Sequence, residues 1–466
     1  MNYAVILAGG VGSRFWPFSR ELEPKQFMKV VGDESLLQSS IRRLNGVVGP
    51  KQIYIVTNNI YFYEVRSQIA SFKIPESNII LEPQGKNTAP AAALCAKLIS
   101  KIDKEAVLLI MPSDHYIRDV QNFRSALKKA IHCAKKDFLV TVGIKPTAPS
   151  TGYGYIKVSG RNKDFLLVEK FLEKPRLSDA KKYFKDRSFY WNSGMFVWKA
   201  SVFLDEVRKY LPGLYANLRL IESVNDIPLV WPKISPISID YGIMEHSRLI
   251  ALIPANFYWT DLGSWDALAA IYPKDINGNI GNNDTFHLDS EGVCIFTKGN
   301  RLISTIGLKD TVIVDTPDAL LVCDRNKAQD VKRVVEKLKS LKRREHQVHL
   351  TERRPWGCFT VLQQSPGFKI KLIEIAPRKR LSLQSHKKRA EHWVVVAGTV
   401  KVTSGGKTVL VRTNESIYIP KTKKHRLENP TEHPVRIVEV QTGGYLEEDD
   451  IERFDDDYRK ECRVRG

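Results

Sequence analysis

The stretch from Tyr3 to Phe27 constrains this chain more than any other. An apolar run from Tyr3 to Ala8 has the length of a buried strand, and it breaks into Gly9, Gly10 and Gly12. Backbone N–H groups without Cβ atoms over them can approach a polyphosphate closely. Arg14, Arg20 and Lys25 follow and can offset its charge. The loop lacks the Lys-Ser/Thr ending of a P-loop, and Phe15 stands where the last glycine of a dinucleotide fingerprint belongs. Neither of those folds is therefore indicated.

Downstream, short apolar runs alternate with amphipathic stretches as far as about residue 271. The runs are Ile53–Val56, Ile79–Leu81, Val107–Met111 and Leu139–Val142; the helical stretches are Leu36–Leu44, Tyr63–Ala70, Ala89–Ile99 and Phe123–Ala134. This alternation predicts a mostly parallel, doubly wound α/β sheet, with ligands outside the carboxyl ends of its strands, where the opening loop lies. Asp114 falls just past the run Val107–Met111, where a carboxylate facing a triphosphate is a hard-oxygen ligand for Mg²⁺; in isolation it reads equally as a helix cap or turn residue. Asp261, in Trp259-Thr260-Asp261-Leu262-Gly263-Ser264, reads in isolation as a turn residue. Lys174, between Glu173 and Pro175, can grip a sugar phosphate as a point charge or sit solvated at the surface.

From 272 to 345 the texture becomes turn-rich, with short β-type runs at Val293–Phe296, Leu302–Ile306, Thr311–Val314 and Ala319–Val322. A small β-helix-like linker is expected, followed by a connecting helix whose stripe is Val331, Val334, Val335, Leu338 and Leu341. Its basic face could meet nucleic acid or anionic lipid, but a docked connector is the preferred reading. From 346 to 466 closely spaced strands predict a β-barrel of jelly-roll type, ending in an acidic stretch, Glu447–Asp457, expected to be a solvated tail. Here Gln384 and His386 are two apart and share a strand face, Glu391 follows a short turn, and His425 can arrive from a facing strand. Gln, His and Glu together suit Zn²⁺, Co²⁺, Mn²⁺ or Fe²⁺.

The string LAGG-x-GSR-x-WP-x-SR-x-x-x-PKQF resembles the sugar nucleotidyltransferases, in particular the mannose-1-phosphate guanylyltransferases. The resemblance implies a Rossmann-like nucleotidyltransferase domain over 1–271. It places the nucleotide against Leu7, Ala8, Gly9, Gly10, Gly12, Ser13, Arg14 and Lys25, then against Glu82, Asn87 and Thr88. It makes Asp114 and Asp261 the pair that holds the catalytic Mg²⁺. The segment Phe171-Leu172-Glu173-Lys174-Pro175 is similar to the family's sugar-1-phosphate site, and Gly154, Asn192, Gly194 and Glu245 would meet the sugar alongside Asp261. Lys86 stands where the family commonly has Arg.

The strings Q-x-H-x-x-R-x-E-H-W and Y-I-P-x-x-x-x-H-R-x-E-N resemble the cupin-type mannose-6-phosphate isomerase, known as the carboxyl half of bifunctional bacterial enzymes. That resemblance makes Gln384, His386, Glu391 and His425 the metal ligands and gives Arg389 a catalytic part. Lys387 and Lys388 stand where the family often has histidines. The implied substrates are GTP, mannose 1-phosphate, mannose 6-phosphate and fructose 6-phosphate, with Arg14, Lys25 and Lys174 in catalytic positions of the first domain. Two other readings stay open: a guanylyltransferase with a purely structural cupin, and a non-enzymatic sugar-nucleotide or nucleic-acid binding protein.

The net charge of +20 suits anionic ligands without choosing among them. Six scattered cysteines without a C-x-x-C pair argue for reduced thiols, and no signal peptide or membrane span is apparent. A cytoplasmic homo-oligomer acting on small molecules, with neither nucleic acid nor membrane as partner, is therefore expected.

Overall fold

The computed structural model describes Met1 to Tyr458, apart from Val11, Lys163, Asn283 and the side chain of Arg161. The chain divides into two compact units, Met1–His346 and a second that begins at Gln347. Cys95, Cys133, Cys294, Cys323 and Cys358 are free thiols, as expected; Cys462 lies outside the described residues. No described helix is long and apolar enough to cross a membrane.

The first unit is built on one sheet. Its strand order is Ile79–Glu82, Ile53–Asn58, Asn2–Leu7, Val107–Pro112, Phe189–Lys199, Leu139–Ile144, Ile250–Pro254, Leu166–Leu172 and Tyr155–Arg161. The first four run parallel. Phe189–Lys199 then enters antiparallel between Val107–Pro112 and Leu139–Ile144, so the sheet is mixed where a mostly parallel one was expected. Alternate residues of one strand feed two cores: Ala4 and Ile6 face Leu37, Ile41 and Leu127, whereas Tyr3 and Val5 face Ala92, Leu94 and Phe203. Helices therefore cover both faces, which leaves the strands' carboxyl ends as the edge open to a ligand.

The spacer follows the β-helix expectation. Thr285–Leu288 pairs in parallel with Ile303–Ile306, and Cys294–Thr297 with Thr311–Asp315. Its inner residues Ile280, Cys294, Phe296, Val312 and Val314 share a core with Phe15, Trp16, Phe18 and Trp265. The helix Val331–Ser340 buries Val331 and Val335 in that core, so it is docked. The spacer thus supports the back of the opening loop.

The second unit is two antiparallel sheets packed over Ile373, Trp393, Val400, Leu427 and Ile437. One sheet has six strands and includes Arg389–Ala397; the other has five and includes Leu383–His386 and His425–Glu428. The stretch Glu447–Asp457 is not a solvated tail. It forms a 3-10 turn, Glu448–Asp450, and a strand, Ile451–Asp455, that pairs with Leu383–His386. Cations distant in sequence draw it in: Arg380 meets Asp457 with two bonds of 2.7 Å, and Arg426 meets Asp455 at 2.6 Å.

Candidate active sites

In the first unit the opening strand delivers the loop to the sheet's edge. The Leu7 carbonyl accepts from Ser113 Oγ at 2.8 Å, and the Ala8 carbonyl accepts from Gln26 Nε2 and Thr57 Oγ1 at 3.0 and 2.9 Å. These bonds fix the strand end, after which Gly9 and Gly10 stand exposed. Gly12 has φ +63°, and a Cβ there would lie 2.5 Å from Lys25 Cβ, so glycine is required for Lys25 to tuck under the loop. Lys25 is 4% exposed, and its Nζ donates to Asp114 Oδ2 at 2.9 Å and also to the Asp261 carbonyl. Residues 25, 114 and 261 thereby meet at one point. Ser13 opens the 3-10 turn Ser13–Phe15, and Arg14 lies exposed at the rim, its Nη1 3.5 Å from the Gly263 carbonyl.

Loss of water around Asp114 disfavours its charge, but the Lys25 ammonium holds the carboxyl below its usual range. Asp261 Oδ1 accepts from Tyr153 Oη at 2.9 Å and from the Gly263 N–H at 3.0 Å. A Cβ on Gly263 would sit 2.9 Å from Asp261 Oδ2, so the missing side chain keeps space beside the second oxygen. Two hard carboxylates with that space fit a Mg²⁺ ion.

Glu82 is buried, 3.4 Å from where a Gly9 Cβ would be, and burial pushes its carboxyl up to about 8. Asn87 and Thr88 are held by structural bonds: Asn87 Oδ1 accepts from the Thr88 N–H at 2.9 Å at the start of a helix, and Thr88 Oγ1 accepts from the Ile239 N–H at 2.9 Å. Arg20 does not face the loop's ligand side. It is buried, paired with Asp318 at 2.8 Å and bonded to the Glu345 carbonyl, because the spacer folds over it.

The sugar-side residues also converge. The Gly154 carbonyl accepts from the Asn192 N–H at 2.8 Å, and Asn192 Oδ1 accepts from the Gly194 N–H at 3.1 Å. Glu245 Oε1 accepts from the Glu173 N–H at 3.2 Å, and Lys174 Nζ bonds to Glu173 Oε1 while staying half exposed. Asp240 accepts from Asn192 Nδ2 at 2.8 Å, and burial together with the Glu173 charge pushes its carboxyl up to about 6. Tyr153 ties this group to Asp261.

In the second unit His386 and His425 come from one sheet and Glu391 from the other, so the cluster lies between the sheets. The three are 1–2% exposed, and one ligand atom from each lies within 4.8 Å of the others. His425 Nδ1 donates to the Lys423 carbonyl at 2.8 Å, which leaves Nε2 pointing to Glu391 Oε2, 3.6 Å away. His425 Nε2, Glu391 Oε2 and His386 Nδ1 are buried without a hydrogen-bond partner. The unpartnered His425 Nε2 and Glu391 Oε2, with His386 Nε2 3.1 Å from Glu391 Oε1, make a donor set that fits a divalent transition ion. Gln384 lies directly opposite His425 across the strand pair, with its Oε1 accepting from Ser382 Oγ at 3.1 Å. Burial opposes the charge on Glu391, but His386, His425 and Arg389 hold it well below the carboxylate range. Arg389 is buried, donating to Glu391 Oε1 and to the Glu447 carbonyl, each at 3.1 Å. Lys387 and Lys388 point to the surface, and their N–H groups reach the Asp450 carboxylate.

Several residues here carry no local sequence signal. Arg43, buried on the helix Leu36–Arg43, donates to the His115 carbonyl at 3.0 Å and so braces the Asp114 turn. Lys371, Glu439 and Gln441 alternate inward on their strands, and Gln441 Nε2 bridges Glu391 Oε1 and Glu439 Oε2 at 3.2 and 3.0 Å. The inward strand position of a polar residue was the one available clue.

Comparison with known proteins agrees with this division. Residues 3–278 match the family model described as nucleotidyl transferase, 283–338 the mannoseP isomerase/GMP-like beta-helix domain, and 341–456 the mannose-6-phosphate isomerase C-terminal model. A mannose-1-phosphate guanylyltransferase of Escherichia coli (strain K12) is 41% identical, with 98% of each chain covered. The xanthan biosynthesis protein XanB of Xanthomonas campestris pv. campestris (strain B100) is also 41% identical, over 97% of this chain and 98% of its own. A solved structure from Thermus thermophilus, described as a mannose-1-phosphate geranyltransferase, is 30% identical with a TM-score of 0.65; the match covers 72% of this chain and 99% of that one. With relatives of this kind aligned along nearly its whole length, the chain belongs to the mannose-1-phosphate guanylyltransferase family, joined to a mannose-6-phosphate isomerase C-terminal domain.

Proposed function

We propose that the chain transfers GMP from GTP to mannose 1-phosphate, giving GDP-mannose and pyrophosphate, and interconverts mannose 6-phosphate and fructose 6-phosphate in its second unit. The observation that carries the first activity is Lys25 Nζ joining Asp114 to Asp261, with the lysine tucked against Gly12. Backbone N–H groups of Gly9, Gly10 and Gly12 would bind the triphosphate, with Leu7, Ala8, Ser13, Glu82, Asn87 and Thr88 lining the nucleotide. Half-exposed Lys174 would orient the sugar phosphate, one oxygen of which attacks the α-phosphorus in line as the bond to pyrophosphate breaks. Lys25 and Arg14 would offset the charge on the departing oxygens. Gly154, Glu173, Asn192, Gly194 and Glu245 would fix the sugar ring. Mg²⁺, held by Asp114 and Asp261, would supply further charge neutralisation when bound.

In the second unit His386, Glu391, His425 and Gln384 would hold Zn²⁺, Co²⁺, Mn²⁺ or Fe²⁺, which when bound supplies Lewis acidity at the sugar's C1 and C2 oxygens. Arg389 keeps Glu391 ionised and oriented, acting through that carboxylate. GTP and hexose phosphates are cytoplasmic metabolites, and a cytoplasmic homo-oligomer is part of this reading.

The test is a panel of nucleoside triphosphates against hexose 1-phosphates, scored by pyrophosphate release, beside an isomerase assay on the same protein. GTP with mannose 1-phosphate should be the strongest pair, and Asp261→Asn should lose it. No release from folded protein would reject the reading.

A further inference from the structure

A cavity of about 630 Å³ opens in the second unit. Its lining joins Gln384, Arg389 and Gln441, which belong to or adjoin the His386–Glu391–His425 cluster, to a further set of cations, Arg354, Lys371 and Arg453. Arg389 is already engaged by Glu391 and the Glu447 carbonyl. Buried Lys371 instead donates to Glu448 Oε1 at 3.0 Å, and Arg453 Nη2 lies 4.0 Å from Glu448 Oε2. The positive fields of Lys371, Arg389 and Arg354 also converge on Glu448, keeping its carboxyl below the usual range against the effect of burial. Arg354 is itself paired with Glu352 at 2.7 Å. Glu439 lies 4.0 Å from Lys371 Nζ and is itself held by Trp393 Nε1 at 3.1 Å and Gln441 Nε2 at 3.0 Å.

The Glu448 carboxylate, half exposed and contributed by the turn Glu448–Asp450, thus sits where several cations line a cavity beside a metal-ligand cluster. A buried ammonium needs a counter-anion, and Glu448 supplies one. A phosphate monoester carries nearly twice the charge and three acceptor oxygens, so it would compete strongly for the same cations. We propose that Lys371, with Arg354 and Arg453, forms a phosphate-binding subsite in the second unit. The Glu448 carboxylate occupies this subsite until the phosphate of a hexose 6-phosphate displaces it. The choice of hexose phosphate rests on the isomerase reading above; the anion subsite rests on the cavity and its charges.

Calorimetric titration of the full-length protein with fructose 6-phosphate and with fructose tests this, with metal content and isomerase turnover measured on the same samples. Lys371→Met should weaken fructose 6-phosphate binding at least about tenfold, Lys371→Arg should recover most of it, and Glu448→Gln should tighten it about threefold to tenfold. Binding of fructose should not move. A merely structural Glu448 would shift the melting temperature and leave the Kd alone. Unchanged or weaker binding in Glu448→Gln overturns the subsite, and that variant decides alone if Lys371→Met fails to fold. The predicted shifts without turnover would reject the isomerase reading and keep the subsite, whereas turnover with unmoved affinities would do the reverse. Failure of the unmodified protein to bind fructose 6-phosphate would reject both.

Discussion

The two metal-binding candidates are built in opposite ways. In the first unit the groups come from loops at strand ends, separated by up to 236 positions between Lys25 and Asp261, and the cation and carboxylate already satisfy one another. In the second unit His386, Glu391 and His425 sit on paired strands, are almost fully buried, and keep atoms without partners. An unsatisfied buried polar atom costs about 1–3 kcal/mol, which a bound ion would offset. The contrast separates a site suited to ligands that arrive and leave together from one shaped for a resident ion. On that reading, Lys25 would release part of its contact with Asp114 when Mg²⁺ and triphosphate enter.

The strongest challenge to this contrast is His386→Ala, which should strip the divalent ion and cut isomerisation by at least about 10³-fold. Pyrophosphate release with Mg²⁺ supplied should stay intact; metal analysis and both assays on one preparation would reveal any cross-effect. Next in size, Lys25→Met should lower pyrophosphate release by about 10²- to 10³-fold and leave isomerisation unchanged. A smaller loss, about tenfold, is expected for Gly12→Ala, because its Cβ would press on Lys25 and its φ of +63° is costly for any side chain. Recovery of the rate at high GTP would show that binding, and not the chemical step, has suffered.

The smallest effect concerns stability. Glu82 stays protonated in the fold up to about 8, whereas an unfolded glutamate ionises near 4.5. The folded state therefore holds the extra proton between those values, and stability falls as pH rises from about 4.5 to about 8, then levels off. Glu82→Gln should flatten that slope for the first unit, read as a smaller change in melting temperature between about pH 4.5 and about pH 8 than in the unmodified protein. An unchanged slope would mean that Glu82 is solvated.

Much of the molecule was legible because the informative signals are local. The Tyr3–Ala8 strand running into glycines, the Lys25 position and the Gln384-x-His386 spacing each lie within one stretch, where strand period and turn chemistry act directly. The errors share one cause, a distant partner. Arg20 read as a phosphate ligand because Asp318 is 298 positions away. Glu447–Asp457 read as solvated because Arg380 and Arg426, which pair with it, lie 77 and 29 positions from their partners. The antiparallel insertion of Phe189–Lys199 is likewise a choice of neighbour, not of local conformation, and propensity is silent on it.

The buried Arg20–Asp318 pair also bears on how the molecule can be dissected. A fragment ending after the last helix of the alternating region, Trp265–Ala269, would strand the guanidinium without its carboxylate and remove the apolar wall behind Phe15, Trp16 and Phe18. Removing one partner of a buried ion pair costs about 3–5 kcal/mol. The smallest portable catalyst of nucleotidyl transfer therefore runs to about His346, with the spacer serving as its keystone.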